Sequence, residues 1–180
     1  AAGLGTTRWV WLGPGNIGIK RPWEQCLRLA KESGFEGMDL QIDVACSASL
    51  YREKFAEFGL KIGGMALPVD FRADEPKYKA GLAALPAIAA RARETGLTRF
   101  YMWIWPFSDK LPMKDNLKFH TDRLGPCARA LADHGCRLGL EFLGPKTIRI
   151  GHRYPFVRTM EQMLDLCELV AMLRLDVSAA

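Results

Sequence analysis

The chain has 180 residues, 49% of them hydrophobic and 25% charged, with a net charge of +5 and a pI near 9.0. That balance excludes a disordered or fibrous chain and permits a sizeable buried core. No apolar run reaches the roughly 20 residues of a membrane span, and the Lys and Arg residues are scattered rather than clustered, so a soluble, cytoplasmic protein with no nucleic-acid or membrane partner is expected.

In chain order, RWVWLG (8–13) predicts a first strand, and PWEQCLRLAKES (22–33) a helix opened by Pro22, a residue favoured in the first turn. GMDLQI (37–42) is the second strand, YREKFAEF (51–58) a short helix and KIGGMAL (61–67) the third strand. A long helix follows over 77–95, where Pro86 should introduce a kink, and then the strand RFYMWIW (99–105). The helix over 116–134 is expected to be kinked or broken near Gly125 and Pro126, and RLGLEFL (137–143) is the fifth strand. A fifth helix starts at Thr159, whose TMEQ is a capping-box pattern with Gln162 in third place, and runs to about Ala171. MLRLDV (172–177) reads as a sixth strand.

Gly34, Gly59, Gly96 and Gly135 each stand between a helical pattern and a strand-like run, the place of a left-handed helix terminus. Strands and helices in strict alternation predict one α/β domain over residues 1–180, with a parallel sheet covered on both faces. The five cysteines form no CxxC pair and are expected to be reduced core thiols. The chain starts at Ala1 without a methionine, as after processing or within a longer sequence.

Two α/β folds compete for this order. Gly13, Gly15 and Gly18 have the G-x-G-x-x-G spacing of a dinucleotide site, and Asp39 lies near the end of the second strand. That reading would give an NAD(P)-binding oxidoreductase, but Pro22 would break a helix begun inside the glycine motif, leaving the glycines in a loop. The other candidate is a (β/α)₈ barrel of TIM type, whose ligands sit at the C-terminal ends of the strands. Glu141 is near the end of strand five and Asp176 near the end of strand six. Neighbouring strands lie about 4.8 Å apart, so these two carboxylates could grip one divalent cation. Alternatively, Arg137 and Arg174 share their strand faces by period two and could hold both in buried ion pairs. Eight βα units need about 250 residues, so the barrel would be truncated here to about six strands and five helices, without its last two units. Its open edges would favour homo-oligomers.

The loop GPKTIRIGHRYPFVR (144–158) carries Lys146, Arg149, His152 and Arg153, charges suited to a phosphate, carboxylate or polyol. Trp103 and Trp105, with Tyr101, recur on one strand face and could wall a sugar's C–H surface, although core filling is the commoner fate of such rings.

The stretches GFEGMDL (34–40), GLKIGGMALPVDFR (59–72), LGLEFLGPKT (138–147), YPFVRTMEQMLDL (154–166) and the terminal LRLDV carry a family resemblance. The chain resembles the sugar phosphate isomerase/epimerase proteins of the xylose isomerase-like barrel superfamily. The resemblance implies a site in which Glu141 and Asp176 bind a divalent metal (Mn, Mg, Co or Zn) and Glu141 also moves protons. It implies isomerisation or epimerisation of a sugar, sugar phosphate or related polyhydroxy carbonyl compound through an enediolate; Lys146, Trp103, Trp105 and His152, read from the loop and the strand face above, would lie toward that substrate. Family members complete the site with a strand-seven ligand, often histidine, and a second glutamate on strand eight. They also commonly place a histidine three residues after the aspartate, where this chain has Ala179. A non-catalytic, ligand-binding barrel fragment is the remaining alternative.

Overall fold

The computed structural model describes residues 11–13 and 20–172. Five helices are present: α1 (Trp23–Glu32), α2 (Ala48–Phe58), α3 (Glu75–Thr95), α4 (Met113–Ala132) and α5 (Met160–Met172). Between them run β1 (Trp11–Leu12), β2 (Gly37–Met38), β3 (Lys61–Ile62), β4 (Met65–Ala66), β5 (Arg99–Ile104), β6 (Phe107–Ser108), β7 (Arg137–Phe142) and β8 (Tyr154–Pro155).

The chain is α/β, and its parallel strands follow sequence order. β1 pairs with β2 and β2 with β3, while β4 pairs with β5 and β5 with β7. Residues 61–67 join the two sets: Gly63 N–H donates to Met38 O, Leu40 N–H to Gly64 O, and Leu67 N–H to Tyr101 O. An antiparallel pair, β6 with β8, lies in the loops. The described strands form no closed barrel. Their sequential order also differs from that of a doubly wound dinucleotide-binding fold, in which the strand order reverses at a switch point. Residues 14–19 of the glycine motif, and the expected sixth strand beyond Met172 with Asp176, lie outside the described residues.

Right-handed crossovers that always step to the same neighbour put every helix on one side of the sheet. The expectation of a sheet covered on both faces is therefore corrected. Leu12, Met38, Leu40, Met65, Phe100 and Ile104 point into the core with Leu27, Phe55, Leu85, Leu124, Leu131 and Leu166 of the helices. The other face is open: in β7 the half-buried Leu138, Leu140 and Phe142 alternate with the exposed Arg137, Gly139 and Glu141.

The four helix-ending glycines all have positive φ, at 77°, 63°, 96° and 68°. Three helices begin earlier than periodicity suggests, because polar caps and first-turn prolines set their starts. The Ser47 hydroxyl accepts from Leu50 N–H and the Asp74 carboxylate from Lys77 N–H, while Pro112 precedes α4. α3 and α4 run unbroken through Pro86 and Pro126, so the expected break near Gly125 is absent. At α5, Thr159 Oγ1 accepts from Gln162 N–H, and Gln162 Oε1 accepts from Arg158 N–H, one residue before the usual capping-box donor.

All five cysteines are free, with Cys26, Cys127 and Cys136 buried. Burial raises the Cys127 thiol to about 12, which keeps it protonated and inert.

Candidate active site

β5 and β7 carry the site. They pair in parallel over six residues, with Arg99 beside Arg137, Tyr101 beside Gly139 and Trp103 beside Glu141. Partners in register project to the same face, here the open one, about 4.8 Å apart along the backbone. Glu141 is exposed and makes no hydrogen bond or ion pair with any described residue. The buried ion pair with Arg137 is therefore corrected: the two share a face, but four residues of strand put them about 13 Å apart. An acidic residue between Leu140 and Phe142 is tolerated here because no described helix lies over its side of the strand.

Trp103 and Trp105 are 39% and 38% exposed, so they are wall rather than core. Their rings meet edge-on at 4.7 Å, and Trp105 lies 5.4 Å from Phe107. Tyr101, one layer deeper, donates its hydroxyl to Asp39 Oδ2, while Asp39 Oδ1 accepts from Gly64 N–H. Asp39 thus ties three strands together, in place of the ribose contact that the glycine-motif reading would give it.

His152 stacks on Phe107 and bonds Asp109 Oδ2 through Nδ1 at 2.9 Å; Asp109 Oδ1 accepts from Arg153 N–H. These bonds hold the Asp109 carboxyl below its usual range, the Arg153 amide contributing most. His152 therefore joins the aromatic row at its far end, reached from Glu141 through Trp103, Trp105 and Phe107. Lys146 is exposed in the 3-10 turn Lys146–Ile148 that follows β7.

Sequence reasoning missed Arg72, the last residue of LPVDFR. Its guanidinium packs over the Phe71 and Trp103 rings at 4.2 and 4.6 Å and donates to Trp103 O at 2.7 Å. Burial lowers its pKa to about 10, and it remains charged at neutral pH. His120 of α4 is buried against Phe71, Phe119 and Phe156. Its Nδ1 reaches Asn116 O at 2.8 Å, which requires the proton there and leaves Nε2 a buried lone pair without a partner. Among the described residues no cluster of three or more His, Cys, Asp or Glu is placed to hold a metal.

No protein-family model and no curated protein sequence matches the chain. Solved structures do match. A xylose isomerase domain protein from Alicyclobacillus acidocaldarius superposes with a TM-score of 0.75 at 24% identity, covering 89% of this chain and 59% of its own. The chain shares its fold with that xylose isomerase domain protein. The zinc-bound IolI protein matches with a TM-score of 0.64 at 16% identity over 89% of this chain and 58% of its own. D-psicose 3-epimerase, solved in the presence of D-fructose, gives 0.61 at 13% identity over 84% and 55%. The chain therefore spans less than two thirds of each of these structures. No described helix is long and apolar enough to cross a membrane.

Proposed function

We propose that the chain carries part of the catalytic centre of a metal-dependent sugar isomerase or epimerase, with Glu141 as its base and the described strands as the first five staves of a (β/α)₈ barrel. The observation that carries this reading is the state of Glu141: an exposed carboxylate without a partner among the described residues, beside Trp103 on the open end of a parallel strand. Similarity to sugar epimerase structures supports the substrate class.

A divalent metal fits what is present. A hard carboxylate oxygen with no competing donor is the ligand such a cation takes, and Glu141 would hold it together with Asp176, which lies outside the described residues. When bound, the cation would supply Lewis-acid polarisation of a substrate carbonyl. Trp103 and Trp105 offer a C–H face of the substrate an aromatic surface, and Lys146 offers its hydroxyls a cation. Glu141 then takes the proton from the carbon next to the carbonyl. The C–H pair becomes the carbon–carbon double bond of an enediolate, and the carbonyl pair moves onto oxygen. Return of a proton to the other face, or to the neighbouring carbon, completes epimerisation or isomerisation.

The test is solvent deuterium uptake into ketoses, read by NMR with the full-length protein and Mn²⁺. Glu141→Gln should slow uptake about 10²–10⁴-fold, the usual contribution of a positioned base. Wild-type uptake by that variant would remove Glu141 from the mechanism, and binding of the sugar without any exchange would favour a non-catalytic ligand-binding role.

A further inference from the structure

A cavity opens beside the aromatic row. It has a volume of about 530 Å³ and is lined by Arg72, Trp105, Phe107, Lys110, Asn116 and Phe119, among others. That size suits a small organic ligand.

Three of its polar groups keep donor capacity that no described residue takes up. Arg72 is a half-buried cation with no carboxylate within ion-pair distance among the described residues, Asp70 acting on it only from farther away. Rings pack against its guanidinium, one N–H is used on Trp103 O and another reaches Met102 Sδ at 3.9 Å, a weak acceptor, so part of its hydrogen-bonding edge remains for an oxyanion. Asn116 is only 4% exposed, yet its side-chain amide makes no hydrogen bond with the described residues. Lys110 is exposed at the rim and has no ion pair among them. Asp109, the cavity's own carboxylate, is already occupied by His152 and the Arg153 amide. The 20-residue helix α4 begins here without a side-chain cap, which leaves its positive end unneutralised apart from Asp115 in its first turn.

We propose that this cavity binds an oxyanion, the phosphate or carboxylate end of a small substrate, through Arg72, Lys110 and the Asn116 amide, with Trp105 and Phe107 against its carbon skeleton. Assigning that ligand as the substrate rests on the function proposed above, because Arg72 stacks on Trp103, the in-register neighbour of Glu141. The substrate is then an anionic sugar, a phosphate ester or a sugar acid, rather than a neutral ketose.

Calorimetry on the full-length protein with inorganic phosphate, acetate and glycerol tests this, with Trp fluorescence as a second readout. Phosphate or acetate should bind while glycerol does not, and the stronger of the two names the oxyanion. Arg72→Gln should weaken that binding about tenfold or more, as expected for loss of a charge-assisted contact. Lys110→Gln, at an exposed position where folding is not at stake, should weaken it several-fold, and so should Asn116→Ala. Absence of oxyanion binding at about 10 mM ligand, or wild-type binding by the folded variants, would overturn the proposal. Glu141→Gln separates the two readings. The variant should lose exchange and keep oxyanion binding; oxyanion binding by a wild-type protein that shows no exchange would sink the reaction alone. Turnover of neutral ketoses without oxyanion binding would sink the oxyanion subsite alone.

Discussion

His120 should make the protein acid-sensitive in a defined window. Desolvation lowers its pKa from 6.5 to about 4; the Arg72 charge adds to this, and the bond to Asn116 O opposes it. Because the folded-state pKa is depressed, the unfolded chain takes up the proton first. Stability is intact above about pH 6.5, falls as the pH drops toward 4, and falls no further through this group once the folded protein protonates as well. The difference of about 2.5 pKa units corresponds to about 3 kcal/mol, with a limiting slope of about 1.4 kcal/mol per pH unit. Urea unfolding of wild type and His120→Leu between pH 7 and 4 isolates the effect, since carboxylates titrating near the lower limit are common to both. The variant should lose about 3 kcal/mol less than wild type over that range, whatever its stability at pH 7. Parallel pH dependences would refute the reasoning and mean that His120 is solvated or finds a partner for Nε2 when protonated.

Gly64→Ala should destabilise by about 1–3 kcal/mol, an overpacking cost. The added Cβ would sit 2.9 Å from Arg99 O and 3.2 Å from the Tyr101 ring, and Arg99 O is backbone that cannot swing aside; thermal melting checks this. Asp74→Ala removes the carboxylate that accepts Lys77 N–H at the start of α3 and should cost about 1 kcal/mol, measured by urea unfolding, with Asp74→Ser recovering most of it.

Much of the fold was legible because its signals are local. A glycine at a left-handed helix terminus, a helix periodicity and a strand alternation each depend on residues within a few positions of one another. That is why the four glycines, the five helices and the parallel strands through Phe142 were readable, with residues 61–67 read as one strand where the structure has β3 and β4, whereas β6 was not. Glu141 could be marked as odd for the same reason, since an acid within a run of leucines breaks a short-range pattern. Helix starts were less legible, because Ser47, Asp74 and Pro112 act as boundaries only once the following turn forms.

The sequence alone therefore determined the order of elements and the identity of the candidate base. It could not determine what covers each face of the sheet, because period two says that residues alternate and not which side meets a helix. That was decided by the direction in which successive crossovers step, and it turned Glu141 from a buried charge in need of an arginine into an exposed one. The contacts of Arg72 with Trp103, Asp39 with Tyr101 and His152 with Asp109 join residues 31, 62 and 43 positions apart. No local pattern encodes such separations; packing of the strands against one another brings those side chains together.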